Sequence, residues 1–225
     1  MEKDLLYKFI QQVMLKGVIT TDIKKNIRLC VEAAYAPATQ HFKFVKINGK
    51  VSTADKIRLS ERRKKSIVDI MMSFDLISIL NDDFDLLHQR MCLKLVSEVN
   101  KQVDSIINEL NLTNDVSNIN SFTIGNAQKL INMTYKYLIT FGIIDCNNPN
   151  LNKLHCPIDA HIIELMIDDL NIFSVLDCDN HEVYLRNIMW SKINDYNIYK
   201  NLQEQLRIKI NEGSLIKWEF NNWKN

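Results

Sequence analysis

Glycine and proline are scarce in this chain, with 5 and 3 among 225 residues. An all-β protein of this length needs many tight turns, which draw heavily on both residues, so their scarcity argues against a sandwich or barrel. No apolar run approaches the roughly 18 residues a membrane-spanning helix requires, and no apolar segment of signal-peptide type follows the Met-Glu-Lys start. A cytoplasmic protein without a membrane partner is the expectation. Neither sign of charge is in surplus: 28 basic against 27 acidic side chains leave +1. No whole-molecule field then draws nucleic acid, and any such contact has to come from a local patch. Cysteine pairing signals are missing too. Cys30, Cys92, Cys146, Cys156 and Cys178 are odd in number, scattered and without a CxxC pair, which favours reduced thiols over a disulfide framework. The spacings of Cys146, His155, Cys156, His161, Cys178 and His181 match no zinc pattern, and a set of four suitably spaced thiolates for an iron–sulfur cluster is lacking. No metal or cofactor is expected.

What is present points to helices. At 46% hydrophobic and 24% charged, the chain can bury a substantial core as one compact all-α unit, divisible into a lobe over 1–110 and another over 120–225. Helical periodicity runs through Leu5, Leu6, Phe9, Ile10, Val13 and Met14, stopping at Gly17. A second helix follows Thr21 or Asp22, carries Ile23, Ile27, Cys30, Val31 and Ala34 on one face, and is expected to close at Pro37. Apolar stripes predict further helices from Thr53 and over 82–110. HFKFVKINGKV alternates around Asn48-Gly49, the signature of a type I′ turn, so a small hairpin is expected within 42–52 and nowhere else. The polar LTNDVSNINS stretch between Asn111 and Ser121 reads as the lobe boundary. Beyond it lie a helix from about Gly125 to Gly142, another opened by Asp159, and two more at roughly 179–193 and 195–211, placed by caps at Asp179 and Asp195. In the tail, Trp218, Phe220 and Trp223 are expected to fold back onto the body.

One pair of residues carries chemistry. Lys129 sits in GNAQKLINMTYKYLITFG, and 30 residues later Asp159 opens a helix in LHCPIDAHIIELM. A helix-borne amine can act as a nucleophile once burial lowers its pKa from the ordinary ~10.4, and a carboxylate at the head of the next helix can handle charge and protons. Each residue also has a plainer reading, Lys129 as a solvated helix lysine and Asp159 as an N-cap. The run Arg58, Arg62, Arg63, Lys64, Lys65 can cross a phosphate backbone or be the wet face of a helix. Trp190, Tyr196, Trp218 and Trp223 can stack on an extruded base or pack the core, and Gln40 and His41 are weaker pocket candidates.

The segments TIGNAQKLINMTYKYL and LHCPIDAHIIEL, within residues 122–165, resemble the catalytic core of the helix-hairpin-helix DNA glycosylases. The spacing of Lys129 and Asp159 is similar to that of the archaeal branch specific for oxidised guanine. The resemblance implies a two-lobed helical fold without an iron–sulfur cluster. It implies a monomer that acts on double-stranded DNA containing a damaged or modified base, and an AP lyase step. In that reading Lys129 attacks the sugar C1′ and forms a Schiff base, Asp159 supports the charge that develops as the base leaves, and backbone N–H groups of Ile124, Gly125 and Asn126 hold a phosphate. Two features depart from the family pattern: Gly125 is the hairpin's sole glycine, and the net charge is near zero. They motivate the competing expectation, a non-catalytic helical binding or adaptor protein, for instance one associated with defence, that keeps the fold.

Overall fold

The computed structural model describes residues 2–46, 51–81, 83–113, 115–118, 121–211 and 213–222. The protein is all-α with two minimal antiparallel sheets. Its helices are α1 (Glu2–Leu15), α2 (Ile23–Thr39), α3 (Thr53–Met72), α4 (Phe84–Glu109), α5 (Ile124–Thr140), α6 (Ala160–Asp168), α7 (Tyr196–Ile210) and α8 (Leu215–Asn221).

Helix α5 is the axis of the molecule. Thr123 caps its start through a reciprocal capping box with Asn126. At its end Gly142 takes φ +70, and the N–H of Ile143 closes onto Leu138 O, so the chain turns out of the helix where a side chain would be strained. Every residue from Ile124 to Lys136 is buried. The helix packs against α2, α4 and α7, and one connected apolar cluster runs from Leu15 through to Ile216. A helix buried all round needs partners for its polar side chains as well as its apolar ones, and this need shapes the site described below.

Helices α2 and α4 follow their stripes. Cys30, Val31 and Ala34 are fully buried on α2, and Phe84, Met91, Leu95, Val99, Val103 and Ile106 are buried on α4. Pro37 does not end α2. It lies in the last turn, and the helix continues to Thr39, because a proline there removes one hydrogen bond and the packed face compensates. Ile23 is 62% exposed, as a first-turn residue facing away from the core.

Strand β1 (Phe44–Lys46) falls inside the expected hairpin, but its partner is β2 (Val116–Asn118). The polar stretch before α5 is therefore tied to the segment after α2, and the Asn48-Gly49 turn lies outside the described residues. A second sheet, β3 (Ser174–Leu176) with β4 (Glu182–Tyr184), stands where a helix over 179–193 was expected. Asp177 Oδ1 accepts from the N–H groups of Asp179 and His181, and Asn180 adopts φ +62. Those bonds close a tight turn and take up the residues that would have opened a helix. Short 3₁₀ turns at Leu185–Asn187 and Trp190–Lys192 then lead to α7.

Candidate functional site

Lys129 and Asp159 meet. The Lys129 ammonium donates to Asp159 Oδ2 at 3.2 Å, with side chains 7% and 15% exposed. The other carboxylate oxygen, Oδ1, accepts from the N–H of Ile162 and caps α6. One carboxylate thus serves as helix cap and as the lysine's counter-charge, each through its own oxygen. The face of Trp190 lies 4.3 Å from Lys129 Nζ, a cation–π contact. Trp190 is buried and meets the His41 ring edge-on, and His41 is hydrogen-bonded to Gln40.

The start of α5 is locked to the Trp190 turn. Gly125 N–H donates to Ile193 O, Thr123 Oγ donates to Ser191 O, and Asn126 Nδ2 donates to Ala38 O. A Cβ on Gly125 would lie 1.8 Å from Trp190 O, so glycine is required here for close approach of two backbones. These contacts occupy two of the three N–H groups expected to hold a phosphate. Ile124 is packed in the core, Gly125 gives its N–H to Ile193, and Asn126 gives its N–H to Thr123 Oγ1, which leaves Gly125 and Asn126 no free N–H for a phosphate.

The basic run is largely engaged inside the molecule. Arg62 pairs with Glu109 and Lys64 with Glu32. Arg63 donates to Tyr35 Oη and Phe42 O while its guanidinium covers the Phe42 and Phe44 rings. Lys65 is exposed. A cavity of about 520 Å³ opens beside Arg63, between the end of α2, β1 and α3. Neither Lys129 nor Asp159 lines it.

Behind the Lys–Asp pair runs a buried polar seam that periodicity alone does not reveal. Segment 154–158 has neither helix nor strand, and α5 and α7 grip it from their side chains. Gln203 accepts from Cys156 N–H and donates to Cys156 O, and Gln128 does the same for Ile158. Pro157, between them, has no N–H to satisfy. Asn132 Nδ2 donates to Tyr199 Oη and shares its other hydrogen between Cys156 O and Gln128 Oε1, and its carbonyl faces His88 Nε2 at 3.2 Å. His155 Nε2 lies 2.6 Å from Asp85 Oδ1 and its Nδ1 lies 2.7 Å from Tyr199 Oη. The partners fix the tautomers: Nε2–H of His88 faces a carbonyl, and Nε2–H of His155 faces a carboxylate. Burial holds both imidazoles below their ordinary range, while the His155 hydrogen bond and the Arg207 guanidinium hold the Asp85 carboxyl well below its own.

A second ammonium lies two turns along the same face of α5. Lys136 Nζ donates to Glu219 Oε1 of α8 at 2.6 Å, with side chains 9% and 1% exposed. Burial raises the Glu219 carboxyl above its usual value despite this partner. Of the expected tail anchors, Trp218 is half-buried, Phe220 lies over Lys136, and Trp223 is outside the described residues.

Among the described residues, Asp177, Asp179 and His181 bring ligand atoms within 4.8 Å of one another. Asp177 there closes the β3–β4 turn. The described cysteines are free thiols, and burial pushes the Cys30 thiol up to about 12.

Lys129, Asp159 and Trp190 were within reach of the sequence. Gln128, Asn132, Gln203 and Glu219 were not singled out. For Gln128 and Asn132 the signal available was two amides four residues apart on one face of a strongly periodic helix. The chain matches no protein-family model, no curated protein and no solved structure.

Proposed function

We propose that the chain is a DNA base-excision glycosylase with AP lyase activity, acting on an oxidised or modified base of 8-oxoguanine type, with Lys129 as nucleophile. The observation that carries this reading is the largely buried Lys129–Asp159 pair at 3.2 Å, on the two segments that resemble the glycosylase core. Loss of one proton frees the lysine's lone pair, and the hydrogen-bonded Asp159 carboxylate is placed to accept it. The amine then adds to C1′ as the base departs with the glycosidic electrons, and the proton held on Asp159 passes to the base, which restores the carboxylate. Opening of the sugar ring gives the imine, and removal of a C2′ proton expels the 3′ phosphate. Asp159 is also close enough to Lys129 to stabilise positive charge developing at C1′. With Lys129 only 7% exposed and Trp190 over its ammonium, an extruded base reaches the amine when the 190–192 turn moves aside, and the indole then offers a stacking face.

A second reading, a helical binding or adaptor protein with no chemistry, is favoured by specific contacts. Trp190 covers the ammonium, the N–H groups of Gly125 and Asn126 are taken, and Arg62, Arg63 and Lys64 are paired internally. Base release from a panel of duplexes, each with one modified base, separates the two. The glycosylase reading expects release of at least one oxidised purine, abolished in Lys129→Ala. Absence of release from every duplex, with no salt-dependent duplex binding, selects the adaptor reading.

A further inference from the structure

Beside the Lys129–Asp159 ion pair, the immediate neighbours of the two residues are joined as well. Gln128, fully buried, donates through Nε2 to Ile158 O at 2.7 Å and to Gly125 O at 3.0 Å. Its Oε1 accepts from Ile158 N at 3.1 Å and from Asn132 Nδ2 at 3.2 Å. Both halves of the amide are fully used, and only one orientation of the amide satisfies the Ile158 N–H and C=O together. Two consecutive residues of α5, Gln128 and Lys129, are thereby cross-linked to two consecutive residues at the head of α6, Ile158 and Asp159. The first link is a two-point amide–peptide bond, and the second is the ion pair.

From this geometry we infer that Gln128 is the positioning residue of the Lys–Asp pair, a side chain that stands in for a neighbouring strand. Lys129 is long and flexible, and Asp159 sits at the end of a segment that neither helix nor sheet holds. Fixing the peptide immediately before Asp159 removes the freedom that would otherwise let its carboxylate drift from the ammonium. Gln203 holds the same segment two residues earlier, at Cys156, so the backbone leading into the cap is gripped from both sides. The geometric claim stands on these contacts, and its catalytic meaning rests on the function proposed above.

The test needs no nucleic acid. The folded protein is treated with an amine-acylating reagent, and the rates at Lys129 and Lys136 are read separately by peptide mass spectrometry. Lys136 is the internal control, since it lies on the same buried helix and is held by Glu219. Gln128→Met, which keeps the volume and removes all four bonds, is expected to speed acylation of Lys129 by roughly fivefold or more, with Lys136 within about twofold of wild type. Asp159→Asn is expected to speed Lys129 similarly, and adding Gln128→Met to it to change little further. An unchanged Lys129 rate, a parallel rise at both lysines, or full additivity of the two variants would overturn the assignment. Should Gln128→Met not fold, Gln128→Glu, which keeps the acceptor for Ile158 N–H and loses the donor to Ile158 O, is judged by the same criteria. If base release is established, single-turnover release in the variant should fall about ten- to a hundredfold with duplex affinity unchanged. Failure of that last comparison alone bears on the function and leaves the positioning role standing.

Discussion

Asp159 does two jobs with two oxygens, and a substitution can separate them. Asn keeps an oxygen for the Ile162 N–H but turns its amide toward the Lys129 ammonium, whereas Ala removes both functions. Both variants strand a Lys129 ammonium that is only 7% exposed, so each should lose about 3 kcal/mol or more, and Asp159→Ala should lose about 1 kcal/mol beyond Asp159→Asn from the missing cap. Under the proposed function, both should lower base release by about a hundredfold or more. Urea unfolding alongside single-turnover release checks this, and equal stability losses in the two variants would show that the cap is not what the carboxylate contributes. Gly125 makes a second residue-scale case. With a Cβ only 1.8 Å from Trp190 O and 2.8 Å from its carbonyl carbon, Gly125→Ala has to part the α5 start from the Trp190 turn. A loss of about 3 kcal/mol or more in urea unfolding is expected. A near-neutral outcome would mean that the two segments separate freely.

At the scale of elements, the C-terminal helix is held by charge as well as by apolar contact. Lys136 and Glu219 form a buried pair, and Glu219 Oε2 has no hydrogen-bond partner among the described residues. Removing one member strands the other. Lys136→Met should cost about 3–5 kcal/mol, and combining it with Glu219→Leu should recover most of that loss, since an apolar pair of similar volume avoids desolvating two charges. Equal costs for the single and double variants would contradict this account of α8 docking. Helices with long stripes, α2, α4 and α5, were legible from periodicity because each buries one face or all faces against neighbours. The segment after Asp179 was not, since acidic residues that cap helices also close Asx turns, and here Asp177 and Asn180 make the turn. The pairing of β1 with β2 was hidden for a different reason: an alternating segment reveals its faces but not which distant strand borders it.

Across the whole molecule, the buried histidines make stability depend on pH. His88 and His155 are held below their ordinary value of 6.5 by burial, so the unfolded chain takes up protons that the fold refuses. That contribution is complete above about pH 6.5 and is withdrawn as pH falls below it. Asp85, half-exposed and held below its ordinary 3.8, adds a smaller loss at more acid pH, in the same direction. The urea midpoint should fall between pH 7 and 5, and His155→Gln should flatten the slope. A midpoint constant over that range would show that the seam admits protons without cost.

The all-α architecture was readable from scarce Gly and Pro and from helical stripes. The meeting of Lys129 with Asp159 was readable only through the resemblance of two segments, since 30 intervening residues leave distance undetermined. The polar seam that holds the second segment came from side chains whose partners lie on other helices, and no local pattern encodes such a pairing. In the proposed reaction the Lys129 amine, paired with Asp159, becomes covalently joined to a sugar carbon. Borohydride reduction of the protein with an 8-oxoguanine duplex, followed by peptide mapping, tests it most directly. A trapped adduct on the Lys129 peptide that disappears in Lys129→Ala is expected. An adduct on any other residue, or none with the wild-type chain, would contradict it.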